Sequence, residues 1–423
     1  MLSLILPVLL LSANVADDLT QTQLEAMSKS ILADIEELRG DKYQREVKVS
    51  IADKKGFLDY VDDRMERTTT DEQMSADETV MKLLGLVDPK MDYLARQMEL
   101  LQSQVGGFYD PGTESFCLMS SFQGGLAKII LAHELTHALD DQLFDIDGTL
   151  DRLKGNADAQ MAYQAVVEGS GTSTMNEWTL KHFGKDLSMK DLAGASEMDM
   201  GGLEEAPAAM WKPVLMVYMR GAAFLKRTDN VMKGQMGSVA RKDLERAFTH
   251  PPSSTEQVLH PEKYWDPEQL DEPVVVKLDT TKLVAAGWKL QADETLGEAI
   301  LSLVTAPADE RGGLDTSNPM SVLGIAYTND DAAGWGGDRY VLLEKDGVTL
   351  FHFSTRWDTE VDADEFEANL RKQSETLSVA HGLMAPDEST GMRISRSPDR
   401  VDLTIVIGGK GTPDIDALVA QIQ

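Results

Sequence analysis

Residues 129–139 read Ile-Ile-Leu-Ala-His-Glu-Leu-Thr-His-Ala-Leu, an apolar run interrupted only by His133, Glu134, Thr136 and His137. Residues four apart on a helix lie about 40° apart around its axis, so His133 and His137 share a face and can hold one metal ion. Glu134 stands about 100° from His133, near enough to reach a water on that metal without being a ligand. Leu131, Leu135, Leu139 and Leu143 repeat at i, i+4 on the far face and predict a helix over about 125–144 fixed in a core.

A catalytic zinc ion takes three protein ligands and keeps one position open. The extended version of the motif, with Gly and then a third His downstream, is excluded because Asp140 and Leu143 occupy those places. A second helix is predicted over about 156–183, and it carries Val166-Val167-Glu168-Gly169-Ser170-Gly171. Two glycines inside a helix cost about 1 kcal/mol each relative to Ala, so they predict close helix contact or approach to a site. Glu168 in this small-residue stretch is the expected third ligand. The parts imply a mechanism in which Zn²⁺ on His133, His137 and Glu168 lowers the pKa of a bound water. Glu134 is then the general base that carries its proton to the leaving amine.

With these residues the sequence resembles the gluzincins, the thermolysin-like zinc metallopeptidases with HExxH plus a downstream Glu. AHELTHALDDQLF (132–144), GGFYDPGT (106–113), VVEG (166–169), PPSSTEQVLHPEKY (251–264) and GWGGDRY (334–340) are together similar to a bacterial family of predicted zinc metallopeptidases. The resemblance implies an α+β fold with a zincin-like core at 106–270. In it the hairpin 106–119 would be the edge strand that aligns an extended peptide above the zinc helix. A donor to the reacting oxyanion is also needed. His260 is the first candidate, followed by Tyr264, Tyr218 and His250, with Tyr109 facing the cleft. Thr172 stands where thermolysin has an Asp that supports a zinc-bound His, so that support is expected from Asp140 or Asp141.

The rest of the chain frames this centre. It has 423 residues and a formal net charge of −31, which repels phosphate backbones and anionic lipid surfaces and excludes nucleic acid as an expected partner. The expected partner is a peptide or protein substrate. Residues 2–11, LSLILPVLLL, are too short to span a bilayer and resemble a secretory signal peptide (1–16) cleaved after Ala16. A secreted or periplasmic protein without stable membrane embedding follows. One cysteine, Cys117, allows no internal disulfide and reads as an inert strand residue.

Residues 17–105 read as helical, and 271–423 as a C-terminal α/β region with strands at 274–278, 340–343, 349–353 and 403–407. Asp145–Gly148 reads as a loop, as do residues 188–207. Gly334–Arg339 lacks the P-loop Lys and reads as a turn with a packed Trp. Asp358, Asp362, Asp364 and Glu365 read as an acidic helix start in preference to a Ca²⁺ loop. His182, His352 and His381 have no partner at ligand spacing. Two further readings of the motif remain open. One is a zinc-binding extracytoplasmic module with little catalysis, and the other is a non-peptidase zinc amidohydrolase.

Overall fold

The computed structural model describes residues 19–104, 106–120, 122–191, 201–315, 319–380, 391–408 and 414–422. The expected signal segment 1–16 and His381 lie outside these residues. The fold is mixed α+β.

Helix α1 (Gln21–Arg39) starts at Thr20, whose hydroxyl caps the Gln23 amide while the Gln23 side chain returns to the Thr20 amide. It stops at Gly40, which takes the left-handed conformation at φ 72°. Strand β1 (Lys48–Ala52) was not expected in a helical region; helices α2 (Lys54–Thr68), α3 (Asp71–Leu83) and α4 (Tyr93–Gln104) were. The hairpin β2 (Gly107–Asp110) and β3 (Ser115–Met119) turns at Asp110-Pro111-Gly112-Thr113, as its composition predicts. Strand β1 pairs in parallel with β3, giving the order β1-β3-β2. A domain boundary at 105 would therefore cut one sheet in two.

Helix α5 (Gly124–Phe144) covers one face of this sheet and α2 the other. A Cβ on Gly107 would sit 3.0 Å from Ile130 Cγ2 of α5, so any larger residue would have to push the helix side chain back by a few tenths of an ångström. On the opposite face Phe108 stacks on Tyr60 at 4.0 Å, and Arg64 donates to Asp110 at 2.9 Å. The expected leucine stripe is the anchor: Leu131, Leu135 and Leu139 are buried with α1 and the sheet in one cluster.

The loop expected at 145–148 is instead the start of α6 (Ile146–Arg152). Asp145 takes a left-handed φ of 55° and caps the Gly148 amide, so one residue ends α5 and begins the next helix. Then follow α7 (Ala157–His182), α8 (Ala208–Leu225), α9 (Arg241–Thr249) and α10 (Thr255–Leu259), the last capped by Ser254.

The C-terminal unit contains β4 (Lys289–Glu294), α11 (Gly297–Thr305), β5 (Trp335–Lys345), β6 (Val348–Trp357), α12 (Glu360–Ala380), β7 (Gly391–Ser397) and β8 (Arg400–Gly408). The antiparallel sheet runs β4-β5-β6-β8-β7. Asp346 and Gly347, with φ of 50° and 77°, make the two-residue turn that joins β5 to β6. Phe351, Phe353, Leu403 and Ile405 share a core with Met161, Val166 and Met216 of the helical part, so the two units are packed as one body. The strand expected at 274–278 does not form. Val275 is 77% exposed, and the segment reaches the sheet through one bond, Val274 N–H to Gly336 O at 2.7 Å. The less apolar β4 takes the edge position. Among the described residues no helix is long and apolar enough to cross a membrane.

Candidate metal centre

Helices α5 and α7 cross where α5 presents His133 and His137 and α7 presents Glu168. His133 Nε2 lies 3.1 Å from Glu168 Oε2, His137 Nε2 lies 3.5 Å from the same oxygen, and the two Nε2 atoms are 2.9 Å apart. Ligand bonds of about 2.0–2.1 Å in tetrahedral geometry put neighbouring donor atoms about 3.3 Å apart. The triangle of two imidazole nitrogens and one carboxylate oxygen therefore fits Zn²⁺ in size and in donor chemistry.

The two glycines of the α7 stretch have separate jobs. A Cβ on Gly169 would fall 2.3 Å from the Gly221 carbonyl carbon, so this residue sets the close approach of α7 to α8. A Cβ on Gly171 would fall 2.7 Å from His137 Cε1 and 2.8 Å from His133 Cε1. Gly171 is the cradle in which both rings rest.

Glu134 is fully buried, and neither carboxylate oxygen has a well-formed hydrogen bond. Burial pushes its pKa up to about 8, with the His137 charge and the nearby Tyr109 backbone amide pulling the other way. Burial also pushes the Glu168 carboxyl up, but His137 and His133 outweigh it and hold the group down at about 2. The same pairing divides the imidazoles. Burial and the neighbouring ring lower the pKa of His133, whereas the Glu168 charge overcomes burial and raises that of His137.

The edge strand has a defined polarity towards this centre. Met119 N–H donates to Gly106 O, which makes 106/119, 108/117 and 110/115 the hydrogen-bonded pairs of the hairpin. The main-chain groups of Gly107 and Tyr109 consequently point to the free edge of β2, and the Tyr109 amide is the one near Glu134.

Several expectations need correction. His260 stands apart, with Nε2 2.9 Å from Glu298 Oε1, and Thr328 donates to the same oxygen. Arg220 of α8 donates to Leu259 O, next to His260. Tyr218 is two residues, or about 200° around the helix, from Arg220. Helix α8 thus stands between His260 and the ligand set, and His260 is not supported as an oxyanion donor. Tyr218 is the candidate that touches the ligands, its ring lying on that of His133 at 5.7 Å and 27°. Tyr264 is engaged elsewhere, donating to His250 O at 2.7 Å.

Asp140 and Asp141 also have other partners. Asp141 accepts from Tyr109 Oη at 2.9 Å, and Asp140 accepts from Arg39 and Ser170. Among the described residues the Nδ1 atoms of both histidines and Thr172 Oγ1 are buried without a hydrogen-bond partner. Sequence reasoning missed Arg39, because one Arg at a helix end reads as a partner for the helix dipole.

A second acidic group, Glu256, Asp271 and Asp358, has metal-like spacing, but Lys263 Nζ sits within it. The ammonium lies 2.6, 2.8 and 3.0 Å from the three carboxylates, so the group is a salt-bridge hub.

Comparison with known proteins speaks to the other end of the chain. Residues 263–418 match a family described as a domain of unknown function, DUF8575, a stretch that holds the C-terminal sheet and none of the ligand set. No curated protein and no solved structure matches the chain.

Proposed function

We propose that the protein is a zinc-dependent peptidase of the gluzincin type, with a zincin-like core at 106–270, acting outside the cytoplasm on a peptide or protein substrate. The observation that carries this reading is the triangle of His133, His137 and Glu168 donor atoms beside a buried, unpartnered Glu134 carboxylate. A structural zinc site has no use for a base at that place. A zinc ion held there supplies a Lewis acid that polarises a carbonyl and lowers the pKa of water.

The chain's own groups then have assignable tasks. Once the covering helices part, the Gly107 and Tyr109 main chain would offer donors and acceptors on an edge that has no strand partner, suited to an extended peptide. Glu134, with no well-formed hydrogen bond to hold its carboxylate, accepts a proton from the attacking water and returns it to the leaving amine. Tyr218, whose ring lies on that of His133, replaces His260 as the candidate oxyanion donor.

A second reading, a zinc-binding module with little catalysis, is favoured by one observation. His133, Glu134 and His137 are 0% exposed and Glu168 2%. A peptide reaches the centre only after the surrounding helices part.

The test is to purify residues 17–423 and measure bound metal and cleavage of a peptide library, with and without chelator. Glu134→Gln and Glu168→Ala are the comparison set. Bound zinc with chelator-sensitive cleavage, lost in Glu134→Gln, is the expected result. Wild type without zinc overturns the proposal. Zinc without cleavage moves the assignment to the binding module.

A further inference from the structure

Beside the ligand set lies a closed ring of polar atoms to which three helices each contribute one member. Arg39, the last residue of α1, donates from Nη2 to Asp140 Oδ1 at 2.5 Å and from Nη1 to Ser170 Oγ at 3.1 Å. Ser170 Oγ closes the ring by donating to Asp140 Oδ2 at 2.6 Å. The Arg39 side chain is 7% exposed and that of Asp140 0%. Asp140 stands one turn beyond His137 on α5, and Ser170 lies between Glu168 and the Gly171 cradle on α7.

We propose that Arg39 is a positioning residue of the metal centre, which makes α1 a working part of that centre and not a removable leader. This rests on the metal-centre reading above. The planar guanidinium fork spans both ligand helices at once, so it sets the distance between the two histidines and Glu168. A lysine has no fork and reaches one partner at a time. Without Arg39, Asp140 is a buried carboxylate between the ligand helices with Ser170 as its remaining ring partner. Such a charge draws in water or pushes the helices apart.

The chain just beyond α1 adds a second tie. Tyr43 Oη donates to Leu135 O at 2.8 Å, inside the metal-binding motif itself. Two polar ties of α1, Trp178 Nε1 to Asp34 and Lys181 to Glu37, lie further along α7, away from α5 and the ligands. They provide the control that separates positioning from general docking of α1.

The experiment uses the full chain. Zinc affinity is measured by chelator competition, and ligand geometry by the visible absorption of the cobalt-substituted protein. Wild type is compared with Arg39→Met, Arg39→Lys and Asp34→Ala. Arg39→Met is expected to weaken zinc binding by roughly 10-fold, the low end of what losing a group bonded directly to a ligand does, and to change the cobalt spectrum. Arg39→Lys is expected to fall between. Asp34→Ala is expected to lose thermal stability while keeping wild-type affinity and spectrum.

If Arg39→Met does not fold, Ser170→Ala breaks the same ring with little change in volume and carries the comparison. A folded Arg39→Met with wild-type affinity and spectrum overturns the proposal, as does an equal weakening in Asp34→Ala. A wild type that holds no zinc overturns the metal-centre reading itself, and this proposal with it.

Discussion

Replacing Gly171 with Ala pits two effects of opposite sign against each other. Helix propensity favours Ala by about 1 kcal/mol at an interior position. The structure opposes it, because the new methyl would lie 2.7 Å from His137 Cε1 and 2.8 Å from His133 Cε1. Restoring an ordinary contact of about 3.5 Å moves a ring by about 0.8 Å. Metal–ligand distances hold to within about 0.2 Å, so a displacement roughly four times larger breaks the triangle. Zinc affinity is therefore expected to fall at least 10–100-fold, or about 1.4–2.7 kcal/mol, while the metal-free protein unfolds within a few degrees of wild type. Chelator competition and thermal unfolding with and without zinc measure the two quantities separately. Gly169→Ala is the contrasting variant. Its methyl meets the Gly221 backbone at 2.3 Å, so overpacking is expected to cost the metal-free fold about 1–3 kcal/mol. A Gly171→Ala protein with wild-type zinc affinity would refute the cradle. So would a loss of affinity no larger than its loss of metal-free stability.

Three further outcomes are expected. Glu134→Gln should keep its zinc and lose cleavage by about 10²–10⁴-fold, read from kcat on a library-derived peptide against bound metal by elemental analysis. Arg64→Met leaves Asp110 buried with Arg67 as its remaining ion pair, and urea unfolding should register a loss of about 3 kcal/mol. The pH dependence of stability should carry a signature of Asp158. Burial raises its carboxyl to about 8, against the Thr255 hydrogen bonds that lower it. The folded state thus holds a proton that the unfolded state gives up near pH 4. The contribution is complete below that pH and is lost as pH rises towards 8. Asp158 adds at most about 1.4 kcal/mol per pH unit, so denaturation curves at pH 5, 6 and 7 should show wild type losing stability with rising pH more steeply than Asp158→Asn, by up to that amount.

The local parts of this molecule were legible where one residue type settles the physics. HExxH with its leucine stripe foretold α5 and the shared face of His133 and His137. The glycines around Glu168 foretold close approach, and the structure divides that between a helix contact at Gly169 and a ligand cradle at Gly171. Asp-Pro-Gly-Thr foretold the β2–β3 turn. What stayed illegible depends on pairing across long sequence separations. Val47, Val49 and Ile51 alternate with Lys48 and Ser50, a strand pattern so short that it passes unnoticed between helices, and the segment becomes a strand because β3 offers it an edge. Val274–Leu278 has the composition of a strand and no partner to pair with. His260 sits in a motif as suggestive as any in the chain, but helix α8 separates it from the ligands, and no spacing rule encodes that. Arg39 was invisible for the same reason, since its partners lie about a hundred residues away.

The Lys263 hub has a mechanical meaning. Its ammonium joins Glu256 of the helical core, Asp271 at the start of the connecting stretch and Asp358 at the end of β6. Both ends of residues 272–357 are thereby riveted to one point, and the intervening chain can shift only as a loop between fixed ends. A hinge motion that swung the C-terminal sheet away from the core would take Asp358 from Lys263, whose ammonium stays beside the buried Glu256 carboxylate on the helical side. The sheet and the helices also share one hydrophobic core, so this ion pair ties together at the surface two units that are already joined inside.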